Sequence, residues 1–323
     1  MGNELYRKVV DMMNLKFNIE GKLEELNGES IYRYSPVFMC MYDGKKAIIK
    51  KTKENEEKAM ELFKWEEELR NKGVECVSPI KAINGEFITC VAEEERWVLY
   101  PYIEGKRFDG SIKHIRNAGR LLGKIHKAGE NKRFFKSGFK FETFDDEFIE
   151  EVNDDIKIIK ERYKDIISSE VLEEFEKWIK AAIASNYNNV GDRDFPMVDC
   201  SWDYKGNNLV YSEEGIPTLI DPDNGGVVPR IIDLALALIL FNNEMETAPS
   251  RMFSKEEWTV FKDGYYEYTQ LNKVEKDAWN DLLKFVFIDE GLWAIVDLET
   301  DESERQKEFI KNLIEFNVGD FEL

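Results

Sequence analysis

FPMVDCSWDYKGNNLVYSEEGIPTLIDPDNGGVVPRIIDLA (195–235) concentrates acidic, amide and glycine residues beside short apolar pairs, in a chain whose flanking segments read as helices. Loops and small strands share that composition. Within it, Asp203 and Asn208 stand five residues apart, in the D-x-x-x-x-N spacing of a loop where the carboxylate accepts a hydroxyl proton and the amide reaches a metal. Leu209, Val210 and Tyr211 form a short strand, Ser212 to Gly215 reverse it, and Thr218, Leu219 and Ile220 return to deliver Asp221. Phosphoryl transfer needs a carboxylate beside the attacking hydroxyl and at least two oxygen ligands for magnesium. Asp203, Asn208 and Asp221 supply that set.

Working outward, the pattern changes near Pro101, which divides residues 1–101 from 102–323. On the N-terminal side, Val37 to Tyr42 and Lys46 to Lys51 read as strands joined by Asp43-Gly44, a dipeptide suited to a tight hairpin. A charged helix is expected from Glu54 to Asn71 with Gly73 as its cap, followed by strands over Glu86 to Ala92 and Arg96 to Pro101. The C-terminal side is mainly helical. Ala118, Leu122 and Ile125 share one helical face, as do Leu172, Phe175, Ile179 and Ala182. Helix is also expected from Asp145 to Tyr163, over the apolar-rich Ala278 to Val296, and from Arg305 to Phe316. Ser254-Lys-Glu-Glu257 has the spacing of a capping box ahead of Trp258, Phe261 and Tyr265. These elements predict an α+β chain with a small antiparallel sheet in an N-terminal lobe and a mainly helical C-terminal lobe.

Ser201-Trp-Asp-Tyr-Lys-Gly-Asn-Asn208 and Ile220-Asp-Pro-Asp223 resemble the catalytic loop H-G-D-L-H-x-x-N and the metal strand I-D-F/W-D of the aminoglycoside phosphotransferase and choline kinase superfamily. The resemblance runs from about Ile31 to Tyr265 and implies a two-lobed, protein-kinase-like fold. It also implies ATP and Mg2+ as cofactors, Asp203 as catalytic base, and Asn208 and Asp221 as metal ligands. Asp223 is either a second metal contact or a turn residue, and Asp233 falls on the family's structural aspartate. Ser201, Trp202 and Lys205 depart from the pattern, replacing a histidine, a glycine and a second histidine. Ala47-Ile-Ile-Lys50 resembles the V-A-I-K strand, making Lys50 the phosphate-binding lysine, with Glu61 or Glu66 as its helical partner. Leu99-Tyr-Pro-Tyr-Ile-Glu-Gly105 resembles the family's hinge, so backbone groups around Tyr100 and Tyr102 are expected to face adenine. Ala118 to His126 resembles the first C-lobe helix, and His126 is expected to pack rather than catalyse.

The chain carries 65 acidic against 45 basic residues, a net charge of −20. That balance opposes nucleic-acid binding, which needs a concentrated basic surface. It favours cationic small molecules as partners. The leading expectation is an ATP-dependent O-phosphotransferase acting on an amine-bearing antibiotic, aided by acidic stretches at Glu142 to Asp155 and Glu299 to Glu304. A choline-like amine kinase and a catalytically silent binding or spore-coat-type protein are the alternatives. The four cysteines are scattered singly, which fits buried thiols and supports neither zinc nor disulfides. No apolar stretch reaches the roughly 20 residues of a membrane span. The N-terminus lacks a secretory signal, so a cytoplasmic monomer or homodimer is expected.

Overall fold

The computed structural model describes residues 2–16, 23–25, 36–52, 54–81, 85, 87–92, 95–130, 134–136, 138–142, 144–186, 190–191, 193–297 and 303–323. They form two compact units, one of Met1–Gly105 with Thr218–Asp223 and the other of Lys106–Pro217 with Asn224–Leu323.

The first unit begins with α1 (Gly2–Lys16) and β1 (Leu23–Glu25), followed by β2 (Val37–Tyr42), β3 (Lys45–Thr52), α2 (Glu56–Asn71), β4 (Ile88–Ala92) and β5 (Glu95–Pro101). The strands make an antiparallel sheet ordered β1-β2-β3-β5-β4. Asp43 and Gly44 both take positive φ, 49° and 71°, the twist that lets a two-residue turn join β2 to β3 with Tyr42 opposite Lys45. Strand alternation then sends Phe38, Cys40, Ala47, Ile49, Trp97 and Leu99 to one face, where they pack with Tyr6, Val9 and Val10 of α1. Lys50, next in line after Ile49, emerges on the other face, opposite Val37 and Val98. Asn55 caps α2 through Lys58 N–H at 2.9 Å, and Gly73 at φ 74° follows its last turn. The β4 start expected at Glu86 lies outside the described residues.

Residues 218–223 join this unit by backbone bonds: Val77 N–H donates to Leu219 O at 2.9 Å, and Leu219 N–H to Glu75 O at 3.0 Å. The turn that carries Asp221 is thereby fastened to the segment after α2.

The second unit contains α3 (Ile112–Gly129), α4 (Asp146–Tyr163), α5 (Ser169–Asn186), β6 (Met197–Cys200) and β7 (Leu209–Tyr211). Then come β8 (Pro217–Leu219), of which only Pro217 belongs to this unit, β9 (Gly226–Pro229), α6 (Arg230–Leu240), α7 (Lys255–Tyr265) and α8 (Lys273–Val286). A π-helical turn over Phe287–Gly291 leads into α9 (Leu292–Val296), and α10 (Glu304–Ile314) closes the helical set. The capping box at α7 is complete, with Ser254 accepting from Glu257 N–H and Glu257 accepting from Ser254 N–H. Helices α3 and α7 approach through glycine: a β-carbon on Gly119 would lie 2.0 Å from Phe261 O, and one on Gly264 2.1 Å from Arg116 O. That contact explains why small residues recur in Ala118-Gly-Arg-Leu-Leu-Gly123 and before Tyr265. Antiparallel pairing of β6 with β9, from Met197 opposite Pro229 to Cys200 opposite Gly226, holds the segment leading into Ser201.

Cys40, Cys76 and Cys200 are buried free thiols. Among the described residues no helix is long and apolar enough to cross a membrane.

Candidate active site

In the first unit Lys50 is the centre of the charged groups. Its ammonium pairs with Asp221 and, at 2.7 Å, with Asp223 Oδ2. Burial works against that ammonium, but the charges of Asp223 and Asp221 hold it above the ordinary lysine range. Asp223 is pushed up, first by burial and then by Asp221, while Lys50 works the other way. Two carboxylates therefore share one ammonium, and a cation would relieve the surplus negative charge.

Of the glutamates on α2, Glu66 is the one that belongs to this group. It is fully buried, accepts a bond from Tyr100 OH at 3.3 Å, and its other oxygen, Oε2, has no hydrogen-bond partner among the described residues. Burial and the charge of Asp223 raise its pKa well above the carboxylate range, offset in part by Tyr100 and Lys50. Glu61 is only half-buried. Helical periodicity marks the difference, because Glu66 continues the inward stripe Ala59, Leu62, Phe63 and Leu69, and Glu61 does not. Tyr100 is a β5 residue with a buried ring, opposite Ile48. Tyr102 follows β5. Its amide donates to Lys46 O at 3.3 Å, and Lys46 Nζ sits 5.1 Å from its ring centroid.

In the second unit β6 ends at Cys200 and the chain turns sharply. Trp202 takes φ 47°, in the left-handed region that a bulky side chain rarely adopts and a glycine accepts freely. Here the sequence departs from the pattern it resembles, yet the backbone shape that glycine would serve is present. Ser201 is fully buried, and its hydroxyl makes no hydrogen bond among the described residues, so it does not brace the turn. Other residues do: Tyr204 OH donates to Ala118 O at 2.7 Å, Gly206 N–H to Phe241 O at 2.8 Å, and Arg107 to Asn207 O at 3.1 Å. A single 3-10 turn, Gly206–Asn208, then brings Asn208 back under Asp203. The Asn208 amide nitrogen donates to Asp203 O at 2.9 Å and to Asp203 Oδ2 at 3.0 Å. The other carboxylate oxygen, Oδ1, lies 3.3 Å from Lys205 Nζ.

Beneath the loop, Asp233 Oδ2 meets His126 Nε2 at 3.0 Å, and His126 Nδ1 meets Tyr265 OH at 2.9 Å, all three fully buried. His126 is thus a packed residue tying α3, α6 and α7 together, and Asp233 its partner. A second buried tie had no sequence signal: Arg230 forks onto Glu275 at 2.7 and 2.8 Å and also reaches Glu130 at 3.1 Å.

Aromatic and acidic groups lie near Asp203 in the same unit. The Trp202 ring meets Phe139 edge-on at 5.5 Å, and Phe139 meets Phe285 at 6.1 Å. The π-turn that follows Phe285 contributes Asp289 and Glu290. Burial raises Asp289 to about 7, helped by Glu290 and Glu142, and burial together with the charge of Asp203 raises Glu290. Sequence reading missed both, because a π-turn leaves no mark on a 3.6-residue pattern. Of the acidic stretch at Glu299 to Glu304, residues 299–302 lie outside the described residues.

The six expected site residues fall into sets. Lys50 and Asp221 come together in the first unit, with Tyr100 adjoining through Glu66, whereas Tyr102 contacts Lys46; Asp203 and Asn208 come together in the second. Among the described residues no group of three or more His, Cys, Asp or Glu is gathered as a metal centre.

A search of curated proteins found no match. Among solved structures the chain resembles a spectinomycin phosphotransferase in complex with ADP and spectinomycin, at 14% identity and TM-score 0.62, covering 96% of each chain. It also resembles an amicoumacin kinase in complex with AMP-PNP and Ca2+, at 16% identity and TM-score 0.61, covering 98% of this chain and 96% of that one. A microcompartment-associated aminopropanol kinase aligns at 12% identity and TM-score 0.61 over 94% of each chain. At such identities the likeness is one of fold. A family profile described as the phosphotransferase enzyme family, APH, matches residues 34–269, most of the sequence. The chain therefore belongs to the APH phosphotransferase family, the small-molecule kinases with a protein-kinase-like fold.

Proposed function

We propose that the protein transfers the γ-phosphoryl group of ATP to a hydroxyl of a small cationic molecule, an amine-bearing antibiotic before a choline-like amine. The observation that carries this reading is the anchored carboxylate of Asp203, held through Oδ2 by Asn208 in a loop braced at Tyr204 and Gly206. In this assignment Asp203 orients the acceptor hydroxyl and takes its proton as the oxygen attacks. Lys50 neutralises phosphate oxygens, and Glu66 is the carboxylate beside it when Asp221 and Asp223 turn to the metal. Asp221 would hold magnesium by its carboxylate and Asn208 by its amide oxygen, the amide nitrogen being engaged by Asp203. Bound magnesium would supply charge neutralisation for the transferring group. Trp202 beside Asp203, with Asp289 and Glu290 of the same unit, would suit a positively charged acceptor through an aromatic face and two carboxylates. The structural relatives are named for spectinomycin, amicoumacin and aminopropanol, small molecules, which supports a small-molecule acceptor.

The test is ADP release with Mg-ATP and a panel of amine-containing antibiotics and metabolites. Asp203→Ala should lower turnover by about a hundredfold to ten-thousandfold while thermal unfolding is unchanged. Full turnover in that variant would remove the assignment of the base.

A further inference from the structure

We infer that Lys205, clasped by Glu244, is a positioning residue that fixes the carboxylate of Asp203; the inference rests on the phosphotransferase reading of Asp203. The two oxygens of Asp203 have different holders. Asn208 takes Oδ2 at 3.0 Å, from inside the same turn. Lys205 takes Oδ1 at 3.3 Å, and its side chain is only 19% exposed. One hydrogen bond leaves a carboxylate able to swing about that bond, whereas two holders on opposite oxygens fix its plane.

Lys205 is itself anchored. Glu244 Oε2 lies 3.2 Å from its Nζ. The backbone at Glu244 takes φ 55°, a left-handed conformation unusual for a residue with a side chain. It is held there because Glu244 N–H donates to Gln306 Oε1 at 3.1 Å. Gln306 is buried, its amide nitrogen donates to Asn243 Oδ1 at 2.7 Å, and Arg305 Nη1 reaches its oxygen at 3.0 Å. A backbone distortion persists where the surroundings over-determine it, and the distorted residue here is the one that grips Lys205. The chain of contacts runs from α10 through Gln306, Glu244 and Lys205 to Asp203.

The charges agree with that role. Asp203, Glu244 and Glu290 are three carboxylates around one ammonium, and the charges of Asp203 and Glu244 raise Lys205 against the opposing effect of burial. Lys205 is thus held as a cation beside Asp203. A residue that merely stabilised the loop would be redundant beside the Tyr204 and Gly206 bonds, which already fasten its backbone.

The experiment compares wild type with Lys205→Met, Lys205→Arg, Glu244→Gln, the Lys205→Met/Glu244→Gln double variant and Asp203→Asn. Steady-state ADP release is measured with Mg-ATP and spectinomycin, amicoumacin or aminopropanol, with water as acceptor if no amine is turned over. Lys205→Met should lower kcat on the order of a hundredfold, as misplacement of a catalytic group does, with both KM values within about threefold. Lys205→Arg should recover most of the loss, because the guanidinium keeps the charge and both contacts. Glu244→Gln should show a smaller loss of kcat, and the double variant should be no worse than Lys205→Met, since the residues act in series. Unchanged kcat in Lys205→Met, no rescue by arginine, or a loss confined to the KM for ATP would overturn the inference. If Asp203→Asn also turns over at the wild-type rate, the base assignment falls with it; if Asp203→Asn is inactive and Lys205→Met is not, only the clasp falls. No ADP release by wild type would instead overturn the phosphotransferase reading.

Discussion

Trp202 shows how a bulky residue can stand where the resembled pattern has glycine while the backbone takes a conformation that suits glycine. Its φ of 47° is tolerated by glycine and costs an ordinary L-residue about 1 kcal/mol or more. The ring meets Phe139 edge-on, a contact glycine could not make. Two truncations separate these effects. Trp202→Ala removes the ring and keeps the strain, whereas Trp202→Gly removes both. We expect Trp202→Gly to be the more stable by about 1 kcal/mol, the reverse of the usual order of alanine and glycine, read as the difference in free energy from chemical denaturation. The opposite order would mean that the turn relaxes when the ring is lost. Residue identity alone could not reveal this, because a tryptophan in sequence gives no sign of the sign of its φ. The same holds for Ser201, which replaces the pattern's histidine without showing in sequence what braces the turn instead. The contacts that brace it, made by Tyr204, Gly206 and Arg107, join segments distant in sequence.

Elements differ in how plainly the sequence announces them. The β2–β3 hairpin was legible because alternation and Asp43-Gly44 agree, and α7 because its capping box is a local arrangement of two side chains. Helix α6 was not: Arg230–Leu240 is buried almost all round, so it has no polar face to give a helical period, and the sequence reading took its start as the end of the loop segment. Helix α1 was passed over as well, its stripe of Tyr6, Val9 and Val10 being short and visible only against the sheet it covers. The π-turn after α8 was hidden for the reason given above, and it leads to a pH prediction. Asp289, in that turn, has a pKa raised from the ordinary aspartate range to about 7, first by burial and then by Glu290 and Glu142. An acid whose pKa is raised on folding is indifferent below its unfolded value and opposes folding once ionised, so the penalty grows as pH rises from about 4 to about 7. Asp289→Asn should therefore match wild type in Tm near pH 4.5 and exceed it at pH 8. An equal difference at both pH values would mean that the amide stabilises by a new hydrogen bond rather than by removing charge.

At the scale of the whole molecule the governing quantity is the net charge of −20. Sequence reading connected it to cationic partners, and the structure adds carboxylates whose pKa is raised first by burial, at Asp223, Glu66, Asp289 and Glu290. A surplus of one sign destabilises the folded state by self-repulsion. Screening weakens that repulsion over a distance that shrinks from about 30 Å at 0.01 M salt to about 3 Å at 1 M. The same salt also weakens surface pairs such as Lys157 with Asp154 and Lys273 with Asp277, but such exposed pairs contribute little to stability. Repulsion summed over the surface should outweigh them, so Tm at pH 7.5 should rise as sodium chloride increases from about 20 mM to about 500 mM. The rise should diminish as pH is lowered toward the carboxylate range, because protonation removes the charge that salt would screen. Capture of a cationic acceptor should respond in the opposite direction, with kcat/KM falling over the same salt interval while kcat holds, since long-range attraction acts on approach and not on the bound state. A Tm that falls with salt would show that paired charges dominate over the surplus, and a kcat/KM indifferent to salt would leave the acidic surface a matter of solubility alone.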